Sequence, residues 1–217
     1  MRAEGRAACT LGVVDYGMGN RRSVVKALEH VGAGPRLTGD HDALRAADGL
    51  VVPGVGAFPE AMRRLRTLRL DDLVRERAGA GVPVIGLCLG MQLLFEGSDE
   101  HEGAEGLGLL GGRVRRLEAG GLKLPHIGWN GVRWRRSSPL IDGLPDPAAF
   151  YHVHSFVPEP DDESVVLGTG AYGAPFVSFV ARENVFGAQC HPEKSSTHGL
   201  ALLRNFVAIC ASVHAAS

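Results

Sequence analysis

The chain has 217 residues, 45% of them hydrophobic and 22% charged, with a formal net charge of -1. That length holds one well-buried α/β domain and falls short of two. The near-neutral balance argues against a surface built to grip nucleic acid. No apolar run reaches the length of a membrane span. Residues 1–10 carry two arginines and no apolar stretch, so they read as a ragged tail rather than a signal peptide. The expected organisation is a tail over 1–10 and one domain over 11–213. The four cysteines, at 9, 88, 190 and 210, lie far apart without a Cys-x-x-Cys pair. Neither a zinc knuckle nor a disulfide framework is indicated, and a reduced, cytoplasmic protein is expected.

In chain order, Leu11–Asp15 reads as a buried strand ending in a Gly-rich turn at residues 16–20. Ser23–Val31 carries apolar residues at helical spacing, and Gly32–Pro35 stops it. Gly49–Val52 is a second apolar strand, broken at Pro53–Gly54. Arg63–Ala80 is helical in character, with leucines spread among charges. Val82–Gly86 is a third strand, and Met91–Phe95 starts the next helix. Strands alternating with helices indicate a parallel sheet covered on both faces. After residue 113 the texture changes to short strand-like runs punctuated by Gly and Pro, at 113–118, 123–127, 131–134, 150–157, 165–169, 176–181 and 185–190. They read as antiparallel additions to the parallel core. A final helix carries Leu200, Leu203, Phe206, Val207 and Cys210 on one face. The predicted fold is α/β and three-layered, a mixed, mostly parallel sheet flanked by helices in the flavodoxin-like manner.

Gly86-Leu87-Cys88-Leu89-Gly90 follows an apolar strand and precedes a helix. This is the cysteine form of a nucleophile elbow, and its glycines remove side chains that collide in so sharp a turn. A helix N-terminus behind the thiol favours the thiolate, and the Leu89 N–H is placed to meet a developing oxyanion. The plain alternative is a small buried core cysteine; the strand–turn–helix context weighs against it. A cysteine nucleophile needs a base and an orienter. His191 and Glu193 flank Pro192 at the end of an apolar strand, and alternation puts both side chains on one side. His-x-Glu alone is weak evidence and gains its weight from the elbow upstream. His152 and His154 also share a strand face. With no third ligand nearby in sequence, they read as an ordinary strand, as His126 reads as a residue beside a turn. No metal site and no cofactor are expected.

Together these residues resemble the class I, triad-type glutamine amidotransferases. The resemblance implies Cys88 as nucleophile with His191 and Glu193. It also implies an oxyanion strand at Pro53–Gly56, so that Gly54, Val55 and Leu89 form the oxyanion hole. Gln92 matches a glutamine that recognises the substrate amino acid, and Glu96, read as one helical turn further on, is placed to meet its ammonium. His154, Ser155 and Phe156 are implied to present backbone groups to bound glutamine. The segments Asp15–Asn20, Pro125–Asn130, Tyr151–Phe156 and His191–Ser195 further resemble the glutaminase subunits of imidazole glycerol phosphate synthases, over roughly residues 11–212. Those subunits hand ammonia to a (β/α)₈-barrel cyclase subunit that makes imidazole glycerol phosphate and an aminoimidazole carboxamide ribotide. That places Asn20, Trp129, Asn130, Tyr151 and Lys194 near a heterodimer interface, with glutamine as substrate and no nucleic-acid or membrane partner. The chain departs from the usual pattern at Arg21, His152, Phe156 and Cys190. Rival readings are another amidotransferase, a stand-alone cysteine hydrolase, and a non-enzymatic binding module; Trp129-Asn130 argues against the first, and the intact triad against the last.

Overall fold

A computed structural model describes residues 9–214, so the expected tail lies outside the described residues as far as residue 8. Nine strands form the main sheet. Its parallel half is β2 (Gly34–Thr38), β1 (Thr10–Val14), β3 (Gly49–Gly54), β4 (Val84–Cys88) and β13 (Val185–Ala188), in that order across the sheet. The antiparallel half continues from β13 with β12 (Ala174–Arg182), β11 (Val166–Tyr172), β8 (His126–Trp134) and β9 (Ala148–His154). Alternation along the strands sorts the core into two layers. Leu11, Val13, Val51 and Ile85 pack against α1 (Arg21–His30) and α6 (Ser196–His214). Val14, Leu50, Val52 and Val84 face the other way, toward α2 (His41–Arg45), α3 (Phe58–Thr67) and α4 (Leu70–Gly79). No helix among the described residues is long and apolar enough to cross a membrane.

Where the sequence predicts one helix over 63–80, the chain folds two. Phe58, Ala61, Met62 and Leu65 form the buried face of α3. Continued without a break, that face reaches Arg69 and Asp72, whereas the apolar residues are Leu70, Leu73 and Val74. A left-handed turn at Arg69, φ 55°, resets the phase and returns the apolar face to the core. The helix expected after Met91 also ends early. α5 is Leu89–Leu93, and β5 (Phe95–Ser98) follows directly. N–H groups of the 106–109 loop donate to the carbonyls of Leu93, Leu94, Phe95 and Glu96 at 2.7–3.1 Å, taking the chain out of the helix.

β5 belongs to a second, four-stranded sheet ordered β10 (Phe156–Pro160), β7 (Leu110–Arg116), β5 and β6 (Ala104–Glu105). The run expected over 150–157 is therefore two strands. The chain leaves β9 of the large sheet and enters β10 of the small one at Ser155, whose carbonyl accepts the Leu117 N–H at 2.8 Å. Main-chain groups at 154–156 thus lie where the two sheets part.

The elbow is held by backbone packed on backbone. A Cβ on Gly90 would collide with the Val52 carbonyl in β3, and one on Gly86 with the Gly90 carbonyl. Gly90→Ala is expected to cost about 2–3 kcal/mol of stability as an overpacked site that cannot relax. Gly79→Ala, with nothing within 4 Å of its added methyl, is expected to be neutral or slightly stabilising. Urea unfolding of the two variants separates packing from helix propensity.

Candidate active site

Cys88 ends β4 with φ 54° and ψ -113°. A positive φ at a non-glycine residue carries strain, and the tight Gly86–Gly90 packing holds it there. The side chain opens onto a cleft of about 340 Å³. Val55 and Gly56 after β3 form one wall, and Cys88, Leu89 and Gln92 form the floor. Val153–Phe156 and Pro125 face them, with His191, Lys194 and Glu100 completing the lining. The Cys88 sulfur lies 3.9 Å from both the Val153 carbonyl and Gln189 Nε2.

His191 lines the cleft with Cys88 and meets Glu193 Oε1 through Nδ1 at 2.9 Å. β13 has already ended at Ala188, and Pro192–Lys194 is a single 3₁₀ turn. Here the chain turn, rather than strand alternation, brings the two side chains together. Ser195 fixes the pair from behind, donating from its hydroxyl to the His191 carbonyl at 2.7 Å and accepting the Tyr151 N–H at 2.9 Å. Burial alone depresses the His191 imidazolium, but its interactions with Cys88 and Glu193 outweigh burial and push it up to about 10. Glu193 is nearly sealed from solvent, with its side chain 2% exposed.

Gln92 lines the cleft, with both amide protons committed to the Phe156 carbonyl and Gln189 Oε1 at 3.0 Å. It therefore ties the floor to the wall where the two sheets part. Glu96 does not face the cleft. Because α5 stops at Leu93, Glu96 lies on β5, exposed, and accepts the Gly112 N–H at 3.3 Å. The carboxylate at the cleft is Glu100, its side chain 13% exposed. Its Oε2 accepts the Phe58 N–H at 2.8 Å, at the start of α3. Sequence reasoning misses it because the acids at 96, 99, 100 and 102 differ only in where the chain turns. Gly54 pairs with Cys88 in register, and the buried Tyr16 hydroxyl donates to the Pro53 carbonyl at 2.6 Å. Val55 stands exposed at the rim.

Trp129 is 55% exposed and packs edge-on against Tyr151, 6.1 Å between ring centres. Beside it Ile127, not singled out from the sequence, is 61% exposed. Lys194 is exposed at the cleft, and Asn20 borders a small void shared with Val55, His191 and Glu193. Asn130 is turned inward, donating to the Ala171 carbonyl at 2.8 Å. Arg21 pairs with Asp15. Cys190, next to His191 in the chain, is fully buried in the core and its thiol is raised by that burial.

A second group of histidines includes His154 of the cleft wall. His126, His152 and His154 have ring centres 5.4–5.6 Å apart, with Tyr172 stacked on His126 at 4.1 Å. His152 uses both ring nitrogens, toward the Phe150 carbonyl at 3.1 Å and Ser178 Oγ at 2.9 Å. His126 is the member that the sequence does not connect to the other two.

A strained cysteine elbow facing a buried His–Glu pair, on a mixed sheet covered by helices, defines the class: cysteine-dependent amide hydrolases of the amidotransferase type. The profile of the family described as Glutamine amidotransferase class-I matches residues 12–210. The chain is 48% identical over 196 residues to the imidazole glycerol phosphate synthase subunit HisH of Moorella thermoacetica, covering 90% of this chain and 93% of that one. It is 47% identical, with the same coverage, to the HisH subunit of Bacillus cereus strain G9842. The structure of PurLQS from Thermotoga maritima contains a chain of the same fold, with a TM-score of 0.75 at 20% identity, over 93% of this chain and 99% of that one. The chain belongs to the class I glutamine amidotransferases and, among them, to the HisH subunits.

Burial holds the His152 and His154 imidazolium forms down, to about 3 and about 2 respectively. Both lie below the unfolded histidine value of about 6.5. The neutral rings therefore stabilise the fold above pH 6.5, and that stability is lost as pH falls toward the folded values. His191, raised to about 10, has the opposite sign: its contribution is complete below pH 6.5 and lost as pH rises through 10. Unfolding between pH 4 and 6 is expected to take up about two protons on account of His152 and His154. His152→Phe is expected to reduce that uptake by about one, read from the slope of unfolding free energy against pH.

Proposed function

We propose that this cleft hydrolyses the side-chain amide of glutamine and that the ammonia passes to a cyclase subunit folded as a (β/α)₈ barrel, within the cytoplasm. The observation that supports the reading most is the Cys88 elbow facing the buried His191–Glu193 pair. In this mechanism the Cys88 thiolate attacks the amide carbon, and His191, held charged, gives its proton to the departing ammonia. Neutral His191 then takes a proton from water, whose oxygen attacks the thioester, and glutamate leaves as the thiolate returns. Glu193 keeps the imidazole oriented and stabilises its charged form. Main-chain N–H groups of Val55 and Leu89 meet the oxyanion in both steps; loss of one such donor costs about 10²–10³ in rate.

The substrate's amino-acid end is read by Gln92, by main-chain groups at 154–156, and by Glu100 pairing with its ammonium in place of Glu96. Trp129, Ile127, Tyr151, Asn20 and Lys194 form the mouth that meets the partner, while Asn130 braces it from within. Domain limits of 11–213 fit this reading.

Cys88→Ala is expected to abolish glutamate release, measured in the assembled enzyme, without lowering the thermal midpoint. Glu100→Gln keeps an acceptor for the Phe58 N–H and removes the charge. It is expected to raise KM for glutamine about tenfold or more, whereas Glu96→Gln leaves KM unchanged. Glutaminase assays with and without the cyclase and its nucleotide test the partnership. Equal rates under both conditions sink the proposed coupling.

A further inference from the structure

Cys9 and Cys210 are distant in sequence and adjacent in space. Cys9 stands just before β1, its main chain pinned by the Gly34 N–H, which donates to the Cys9 carbonyl at 2.9 Å. Alternation sends residues 9, 11 and 13 to one face of the sheet, and all three join the core layer that contains α6. Cys210 lies in α6, fully buried in that same layer. Its sulfur rests on Gly49, where an added Cβ would collide with it and come within 3.1 Å of Leu11 Cδ2. Gly49 is itself paired with Leu11 of β1, so the Cys210 sulfur sits over the strand two residues on from Cys9. The two side chains therefore share one packing site in that layer, and each thiol perturbs the other. Cys9 is half-buried and reachable from solvent, whereas Cys210 is sealed.

We propose that Cys9 and Cys210 form an oxidisable thiol pair that a low-molecular-weight disulfide, of the glutathione type, converts into an intramolecular bridge between β1 and α6. Cys9 is the attacking member. The neighbouring Cys210 lowers its thiol below the ordinary value against the opposing effects of burial and Asp48, and the same neighbourhood raises Cys210. The Cys9 thiolate attacks one sulfur of the small disulfide, whose S–S bond breaks and releases one thiolate. The Cys210 thiol then gives its proton to that thiolate, and the Cys210 sulfur attacks Cys9 Sγ in the mixed disulfide. The second small thiolate leaves and takes a proton from solvent. Two protein thiols are oxidised by two electrons and one small disulfide is reduced to two thiols. The bridge joins the ends of the described chain and constrains the unfolded state across nearly its whole length.

The test uses the full chain incubated with glutathione disulfide, blocked with N-ethylmaleimide and digested without reduction. Mass spectrometry is expected to find the Cys9 peptide joined to the Cys210 peptide, two hydrogens lighter than the sum, and separated by dithiothreitol. Oxidation is expected to raise the thermal midpoint of the wild type by several degrees and to leave that of Cys9→Ser unchanged. In Cys210→Ser, Cys9 is expected to stall as its glutathione adduct. Should that buried variant fail to fold, the wild-type peptide map and the Cys9→Ser midpoint carry the decision. The proposal is overturned if, when the oxidised wild type is unfolded in denaturant before blocking, both Cys9 and Cys210 react with maleimide, if it ends as a glutathione adduct on Cys9, or if it links Cys9 to a second chain.

Discussion

The contact on which the site depends is backbone against backbone, where the first turn of α5 lies on β3. Gly90 fits over the Val52 carbonyl because neither residue puts a side chain between them. That approach lets β4 turn at once into α5, and the turn forces Cys88 to φ 54°. An unstrained cysteine would sit in the strand and point into one core layer or the other. The strained one stands at the C-terminal edge of the sheet, where crevices form in open α/β folds. The strain is held by the close packing of Gly86, Gly90 and the Val52 carbonyl, so the position of the Cys88 thiol is set by backbone that does no chemistry.

The pieces of the site that chain-local patterns encode were legible. The elbow declares itself through two glycines and an apolar strand, and His191 and Glu193 through their spacing. The pentapeptide is local, and its context is six residues either side. Glu100 was not legible, because its place depends on where α5 ends, and that is decided by N–H groups of the 106–109 loop. Glu96 lies off the cleft lining for the same reason. The split of α3 from α4 was readable in principle from the phase of Leu70, Leu73 and Val74. The second sheet was not, since β5, β7 and β10 join residues whose partners no periodicity names. His126 belongs with His152 and His154 only because β8 and β9 pair in the register that sets His126 opposite His154.

One cleft holds histidines in opposite electrostatic states. His191 and His154 are both buried and both line it. His191 has a carboxylate and a thiol as partners, and its charged form is favoured. His154 has neither, and its neighbours include His152 and His126, so burial keeps it neutral. A charged His191 next to a neutral wall keeps the field in the cleft simple. The His191 imidazolium sits beside the sulfur, while the side chains of Glu100 and Lys194 lie elsewhere in the lining.

The thiols follow the same logic of place over sequence. Cys190 is bonded to His191 and takes no part beside it, because the peptide that points His191 at the cleft turns Cys190 into the α6 layer. Cys9 and Cys210 have no sequence relation and share one packing site, because β1 and α6 close the same layer and Gly49 leaves room for a sulfur there. Cys88 is reachable through the cleft, and Cys9 at its half-buried position just before β1. The two thiols assigned reactions in the proposals are therefore the two that solvent can approach. Cys88 has an imidazolium nearby, which suits the proposed acyl transfer; Cys9 has a second thiol nearby, and exchange is the chemistry that such a neighbour favours.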